Sequence, residues 1–172
     1  MRKILGLVVS LTVIAGVCAA VLAAVNAVTK GPIDEMKVRQ ANAAALAVMP
    51  AGVTAVAEEN GVFVGRDAQG GIVGYAVAGC DGGGYGGDVR LMVGFEADRK
   101  TVVSYRKLAA NETPGLGSKL VSPEFAGQFR GKDASAPLAV KKDGGDIDAI
   151  TSATITSRAV CRAVADAQSK LR

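Results

Sequence analysis

The residues best suited to chemistry lie near the C-terminus, in the run Asp148-Ala149-Ile150-Thr151-Ser152-Ala153-Thr154-Ile155-Thr156-Ser157. It sets small hydroxyl side chains at the mouth of a predicted helix. Residues 158–171 continue with Val160, Ala163, Val164, Ala167 and Leu171 at helical spacing, which makes one apolar face. At such a helix start, unpaired backbone N–H groups and the positive end of the dipole stabilise an anion, and small side chains let its oxygens approach. Ordinary capping needs one hydroxyl or Asx residue, so the surplus suggests a place to hold a phosphate. The plainer alternative is a helix that begins with spare Ser and Thr.

A second segment, residues 111–119, reads NETPGLGSK. Pro114-Gly115 suits the central positions of a type II turn, proline fixing φ and glycine accepting φ > 0, and Gly117 leaves room for a close ligand. Residues 79–87, GCDGGGYGG, lack the strand, spacing and lysine of a dinucleotide or P-loop signature. They read as a mobile connection or as an edge where a ligand or partner approaches the backbone.

The first run resembles the attachment motif of FMN-binding domains that carry flavin covalently: D, two variable residues, S/T, G/S, A, T. Every specified position is met, with Ser152 where glycine is common. The resemblance implies that a flavin transferase joins the FMN phosphate to Thr154 as a phosphoester, and that Asp148 and Thr151 belong to what the transferase recognises. Glu112 to Gly117 is similar to the ETPGLG loop of the same family, which lies against the flavin. By that likeness Glu112, Thr113, Leu116 and Gly117 would line the ring, with Lys119 beside them, while Ser152 and Ala153 would crowd the phosphate. The wider layout, from about residue 5 to 170, is similar to the G subunits of Rnf electron-transport complexes and to the longer C subunits of sodium-translocating NADH:quinone reductases. This implies electron carriage by FMN among other membrane subunits of an Rnf-type complex that links ferredoxin and NAD chemistry to ion movement. A stand-alone exported flavoprotein feeding a terminal reductase, or a cofactor-free assembly protein, would share much of the pattern.

Composition narrows the field independently. The chain has no histidine, which excludes Ser-His-Asp and Cys-His catalysis and His-based zinc or haem sites. No catalytic residue or metal ligand is assigned. Arg2, Lys3 and Lys30 account for three of the four net positive charges, leaving 17 basic and 16 acidic residues in 31–172. No electrostatic footprint for nucleic acid remains. The absence of tryptophan also argues against a base-stacking platform. Cys80 and Cys161 could pair in an oxidising compartment or stay separate thiols.

The elements that must position these residues begin at the membrane. After residues 1–3, residues 4–28 carry no charge, and at about 1.5 Å per residue they can cross a hydrocarbon core of roughly 30 Å. No A-x-A cleavage pattern occurs in the first thirty residues, so retention as an anchor is expected rather than cleavage. Arg2 and Lys3 would keep residues 1–3 in the cytoplasm and send the C-terminal domain to the periplasmic or extracytoplasmic side. Gly16, Ala20 and Ala24 form a smooth stripe suited to a neighbouring helix.

Residues 29–50 read as a juxtamembrane helix that starts at Gly31-Pro32, continues from the span or kinks after it, and packs Ile33, Met36, Ala44 and Ala47 on the domain. Residues 51–172 read as one exported domain of class α+β. Its antiparallel strands are expected at 53–58, 62–66, 72–78, 89–95 and 101–107, with a further strand at 137–142. A short helix begins at Ser122-Pro123-Glu124 and can end at Gly131. The helices are expected at the ends of the strand block.

Overall fold

A computed structural model describes residues 2–110 and 119–171. Helix α1 (Arg2–Val48) is continuous, and the chain divides into two compact units, residues 1–40 and 41–172. In the first unit Leu7, Leu11, Ile14, Val17, Val21 and Val25 are exposed. From Gly6 onward the helix is long and apolar enough to cross a membrane. Ser10 and Thr12 donate their hydroxyls to the carbonyls of Leu7 and Val8 at 3.0 and 2.9 Å, the internal pairing that an apolar solvent demands. Pro32 lies inside α1 rather than at a helix start. Proline's fixed φ is helical at any turn, so the helix runs on at the cost of the donor owed to the Val28 carbonyl.

In the second unit, β1 (Ala55–Glu59), β2 (Val62–Arg66), β3 (Ile72–Gly84), β4 (Gly87–Glu96) and β5 (Val102–Ala110) form an antiparallel meander in chain order. The class is α+β, as the strand pattern predicts. Asn60 and Gly61 both take positive φ, 53° and 79°, at the β1–β2 turn. That is the geometry a two-residue hairpin favours. The residue 79–84 part of the glycine-rich stretch is strand: β3 continues to Gly84 and pairs with β4 as far as Gly84↔Gly87.

Both faces of the sheet are covered, which is why residues 91–95 are all buried instead of alternating. Tyr75, Val77, Leu91, Val93 and Phe95 face the C-terminal helix α3 (Thr154–Ser169) and share its cluster with Val160, Ala163, Val164 and Ala167. Phe63, Ala76 and Met92 point the other way, to Ala45, Val48 and Met49 at the end of α1. The end of α1 and the C-terminal helix, which precede and follow the block of strands in the chain, lie across its two faces. The docking surface of α1 differs from expectation. Ala41, Ala44, Ala45 and Val48 make it, whereas Ala47 is exposed. Small residues win because the contact is close: a Cβ on Gly94 of β4 would fall on the Val48 carbonyl oxygen, and one on Gly79 of β3 would fall on that of Ala163.

The strand expected at 137–142 is absent. Val140 and Ile147 form an isolated parallel bridge, and Lys141–Asp143 close a 3₁₀ turn. The spacing of Leu138 and Val140 reflects packing into the core rather than a ladder. The short helix α2 (Pro123–Ala126) does form, with Ser122 as its N-cap, and a 3₁₀ turn (Gly127–Phe129) extends it towards Gly131.

Cys80 and Cys161 are separate thiols. Burial pushes the Cys161 thiol up to about 11, and burial also raises the phenol of Tyr105. Both folded values lie above the unfolded ones, so their contribution is complete at neutral pH and is lost as pH rises through the folded pKa. The unfolding midpoint should fall between about pH 9 and 11. Cys161→Ala should make that fall shallower, leaving the share due to Tyr105; an identical slope in the variant would exclude the thiol as a cause. Gly94→Ala should lower stability by about 2–3 kcal/mol through overpacking against the Val48 backbone, measured as a shift of the urea midpoint in detergent.

Candidate functional site

The segment from Asp148 to α3 is shaped by a few hydrogen bonds. The Ala153 N–H donates to the Ile150 carbonyl at 2.9 Å, and Ser152 takes φ 65°, in the left-handed region. Ala153 is the N-cap of α3 and makes no side-chain cap. With only a methyl to offer, it leaves the first-turn N–H groups without a capping oxygen from that position. Ser157, one turn in, is fully buried. Its hydroxyl donates to the Ala153 carbonyl at 2.9 Å and accepts the Ile150 N–H at 3.0 Å, pinning the loop to the helix.

This geometry sorts the hydroxyl run. Thr151 and Ser152 are exposed and Thr154, the first helical residue, is half-buried, but Thr156 and Ser157 are buried. In the sequence all five form one cluster. In the fold only the first three can meet a ligand, and of these Thr154 alone sits within the helix whose dipole would face an anion.

Beside the loop lies a cleft of about 520 Å³ lined by Lys119, Ser122, Glu124, Phe125, Gln128, Asp148, Ala149, Ile150 and Thr151. That is within the usual size range of small-molecule sites. Its floor is firm. Phe125 and Phe129 meet edge to face at 5.6 Å, Phe129 and Tyr105 at 5.3 Å, and the Tyr105 hydroxyl donates to the Leu120 carbonyl. Of the residues singled out from sequence, the cleft gathers Lys119, Asp148 and Thr151. Ser152, Ala153 and Thr154 follow directly in the chain but do not line it. Glu112, Thr113, Leu116 and Gly117 lie outside the described residues.

Charges near the site are largely paired with one another. Arg158, one turn into α3 from Thr154, makes two bonds of 2.6 Å to Asp143, and its guanidinium holds the Asp143 carboxyl below the usual carboxylate range. Lys141 bonds Asp148 at 2.7 Å. Arg162 makes two 2.9 Å bonds to Asp81 of β3, which keep that carboxyl low as well. A phosphate at α3 would therefore rely on backbone N–H groups and the dipole more than on an arginine clamp.

Residues 84–169, from the β3–β4 turn through the cleft to the end of α3, match the FMN-binding domain family. Over nearly the whole chain, two curated relatives align. One is the G subunit of the ion-translocating oxidoreductase complex of Methanosarcina acetivorans, 30% identical over 95% of this chain and 92% of its own. The chain belongs to the FMN-binding domain family. The other relative is the G subunit of the Na(+)-translocating ferredoxin:NAD(+) oxidoreductase complex of Acetobacterium woodii, 36% identical over 93% of this chain and 86% of its own. The crystal structure of Shewanella oneidensis NqrC shares the fold, with TM-score 0.52 and 22% identity over 70% of this chain and 65% of that one.

The left-handed backbone of Ser152 is one that glycine adopts without strain. A serine there costs about 1–2 kcal/mol of backbone strain, against about 0.5–1 kcal/mol of extra chain entropy that glycine loses on folding. The strain is the larger quantity. Ser152→Gly should therefore raise stability by about 0.5 kcal/mol, read as a small upward shift of the urea midpoint; a downward shift would mean that the hydroxyl makes a compensating bond.

Proposed function

We propose that this protein is the FMN-carrying electron-transfer subunit of an Rnf-type ion-translocating ferredoxin:NAD oxidoreductase complex, with the FMN phosphate esterified to Thr154. The observation that carries the reading is the position of Thr154: half-buried, first in α3, behind an N-cap without a side-chain oxygen, and next to a loop that lines a ligand-sized cleft. Family membership supplies the cofactor, and the two relatives named as G subunits of ion-translocating complexes supply the setting.

In this reading Thr154 is a tether. Its Oγ attacks the phosphorus of an activated FMN donor held by a flavin transferase. The Oγ–P bond forms as the bond to the departing phosphate breaks, and the hydroxyl proton leaves with that phosphate. The mass of the chain rises by that of one FMN less that of one water, since only the hydroxyl proton is given up and the leaving phosphate stays with the remainder of the donor. The first-turn N–H groups of α3 then face the single negative charge of the diester. Ser152 and Ala153, both small, allow the phosphate to approach, and Asp148 and Thr151 serve recognition by the transferase. Lys119 and the cleft take part of the flavin, with Glu112, Thr113, Leu116 and Gly117 lining the ring. When bound, FMN supplies transfer of one or two electrons, and the protein fixes its position and surroundings.

The apolar part of α1 anchors the protein in the cytoplasmic membrane as a single span, with residues 1–3 inside and the FMN-binding domain on the extracytoplasmic side. No Asp, Glu, Lys or Arg occurs between Lys3 and Lys30, so ion movement belongs to other membrane subunits. A permanent tether suits that location, because a lost flavin could not be replaced easily from the cytoplasmic pool.

The test is the intact mass of denatured protein from cells with flavin transferase and export intact. Wild type should carry one FMN less one water, and Thr154→Ala should lack it. An unmodified wild type under these conditions would remove the covalent mechanism.

A further inference from the structure

Gln128 has no place in any motif of the sequence, yet its side chain holds the main chain of Asp148 from both sides. Its carbonyl oxygen Oε1 accepts the Asp148 N–H at 2.6 Å, and its Nε2 donates to the Asp148 carbonyl at 3.3 Å. The pair copies the two-bond exchange of an antiparallel ladder, across a separation of 20 residues. Gln128 itself sits in the 3₁₀ turn that follows α2, between the core residues Phe125 and Phe129, so its backbone is fixed by packing while its amide reaches the loop. Both Gln128 and Asp148 line the cleft.

The far end of the same loop is held by Ser157, through the Ile150 N–H and the Ala153 carbonyl. The segment from Asp148 to Thr154 is thus clamped at its start by an exposed amide and at its end by a buried hydroxyl. Lys141, the other partner of Asp148, touches its carboxylate alone, at 2.7 Å. It restrains the side chain, whereas Gln128 sets the backbone.

We infer that Gln128 is a positioning residue for the modification of Thr154: its amide presets the loop in the shape that presents Asp148 and Thr154 together to the flavin transferase. This rests on the proposed attachment at Thr154. A clamp of this kind changes the fraction of acceptor protein that is ready to react, not the chemistry of transfer. Its loss therefore raises the apparent KM for the acceptor by the inverse of that fraction and leaves the saturated rate unchanged.

The experiment compares full-length wild type, Gln128→Ala and Gln128→Glu in detergent, as acceptors for purified flavin transferase and an activated FMN donor. Incorporation is followed by intact mass, and amide exchange at Asp148 by hydrogen–deuterium labelling before transferase is added. Gln128→Ala should raise KM about fivefold at unchanged kcat, the scale of losing one or two modest hydrogen bonds, and should speed exchange at Asp148. Gln128→Glu keeps an acceptor for the Asp148 N–H and should recover slow exchange and part of the KM. A wild type that is modified, with Gln128→Ala equal to it or faster, overturns the positioning role alone. A fall in kcat at unchanged KM overturns it too, since that would place Gln128 in the transfer step. An unmodified wild type removes the attachment at Thr154 and this role with it.

Discussion

The close seating of α3 on β3 is the contact on which the site depends. At Gly79 the Ala163 carbonyl occupies the space where any side chain would begin, so the helix can neither approach nor slide without meeting backbone. Ala159, Val160, Ala163, Val164 and Ala167 are fully buried along that seam, and Lys170 closes it by donating to the Ala78 carbonyl at 2.8 Å. Fixing the helix body fixes its first turn. Thr154, whose own side chain takes no large part in the core, inherits its position from contacts that begin about a turn further along the helix.

The second helix contact works by the same rule on the opposite face. Ala41, Ala44 and Ala45 of α1 pack with Phe63, Ala76 and Met92 of the sheet, and the Val48 backbone lies against β4 at Gly94. A sheet covered on both faces has to be apolar on both, and the central strands show it. The cleft is consequently built outside the sheet, from α2, its 3₁₀ extension and the loop before α3, where polar groups such as Lys119, Gln128 and Asp148 can reach a ligand without breaking the core. This division lets the sheet be rigid while the cleft is made of short, separately anchored pieces.

Much of this was legible in the residues. Strand β2 coincides with its expected span, and the apolar face of α3 is the one its spacing gives, because both follow from periodicity alone. Periodicity failed where another constraint set composition. The glycines of β3 read as a mobile connection or as an edge for a ligand or partner, yet Gly79 and Gly83 lie where α3 crosses, with Ala163 and Ala167 beside the one and Arg162 beside the other. Leu138 and Val140 alternated like a strand because both touch the core. In the candidate site, the hydroxyl run marked a helix start suited to an anion and the family resemblance singled out Thr154, but nothing in a glutamine 20 residues upstream announces a hydrogen bond to Asp148. Such a pairing exists only after the turn beyond α2 has been folded.

Cys161 has a chemical consequence beyond packing. Thiol–disulfide exchange proceeds through the thiolate, and a thiol pushed up to about 11 by burial keeps only about one molecule in 10⁴ ionised at neutral pH. Cys161 is also only 2% exposed, which hinders attack by a larger reagent. In a domain whose family binds a redox-active flavin, the core thiol is thus kept out of sulfur chemistry by the same burial that makes it a packing residue. Oxidation would have to wait for the chain to unfold.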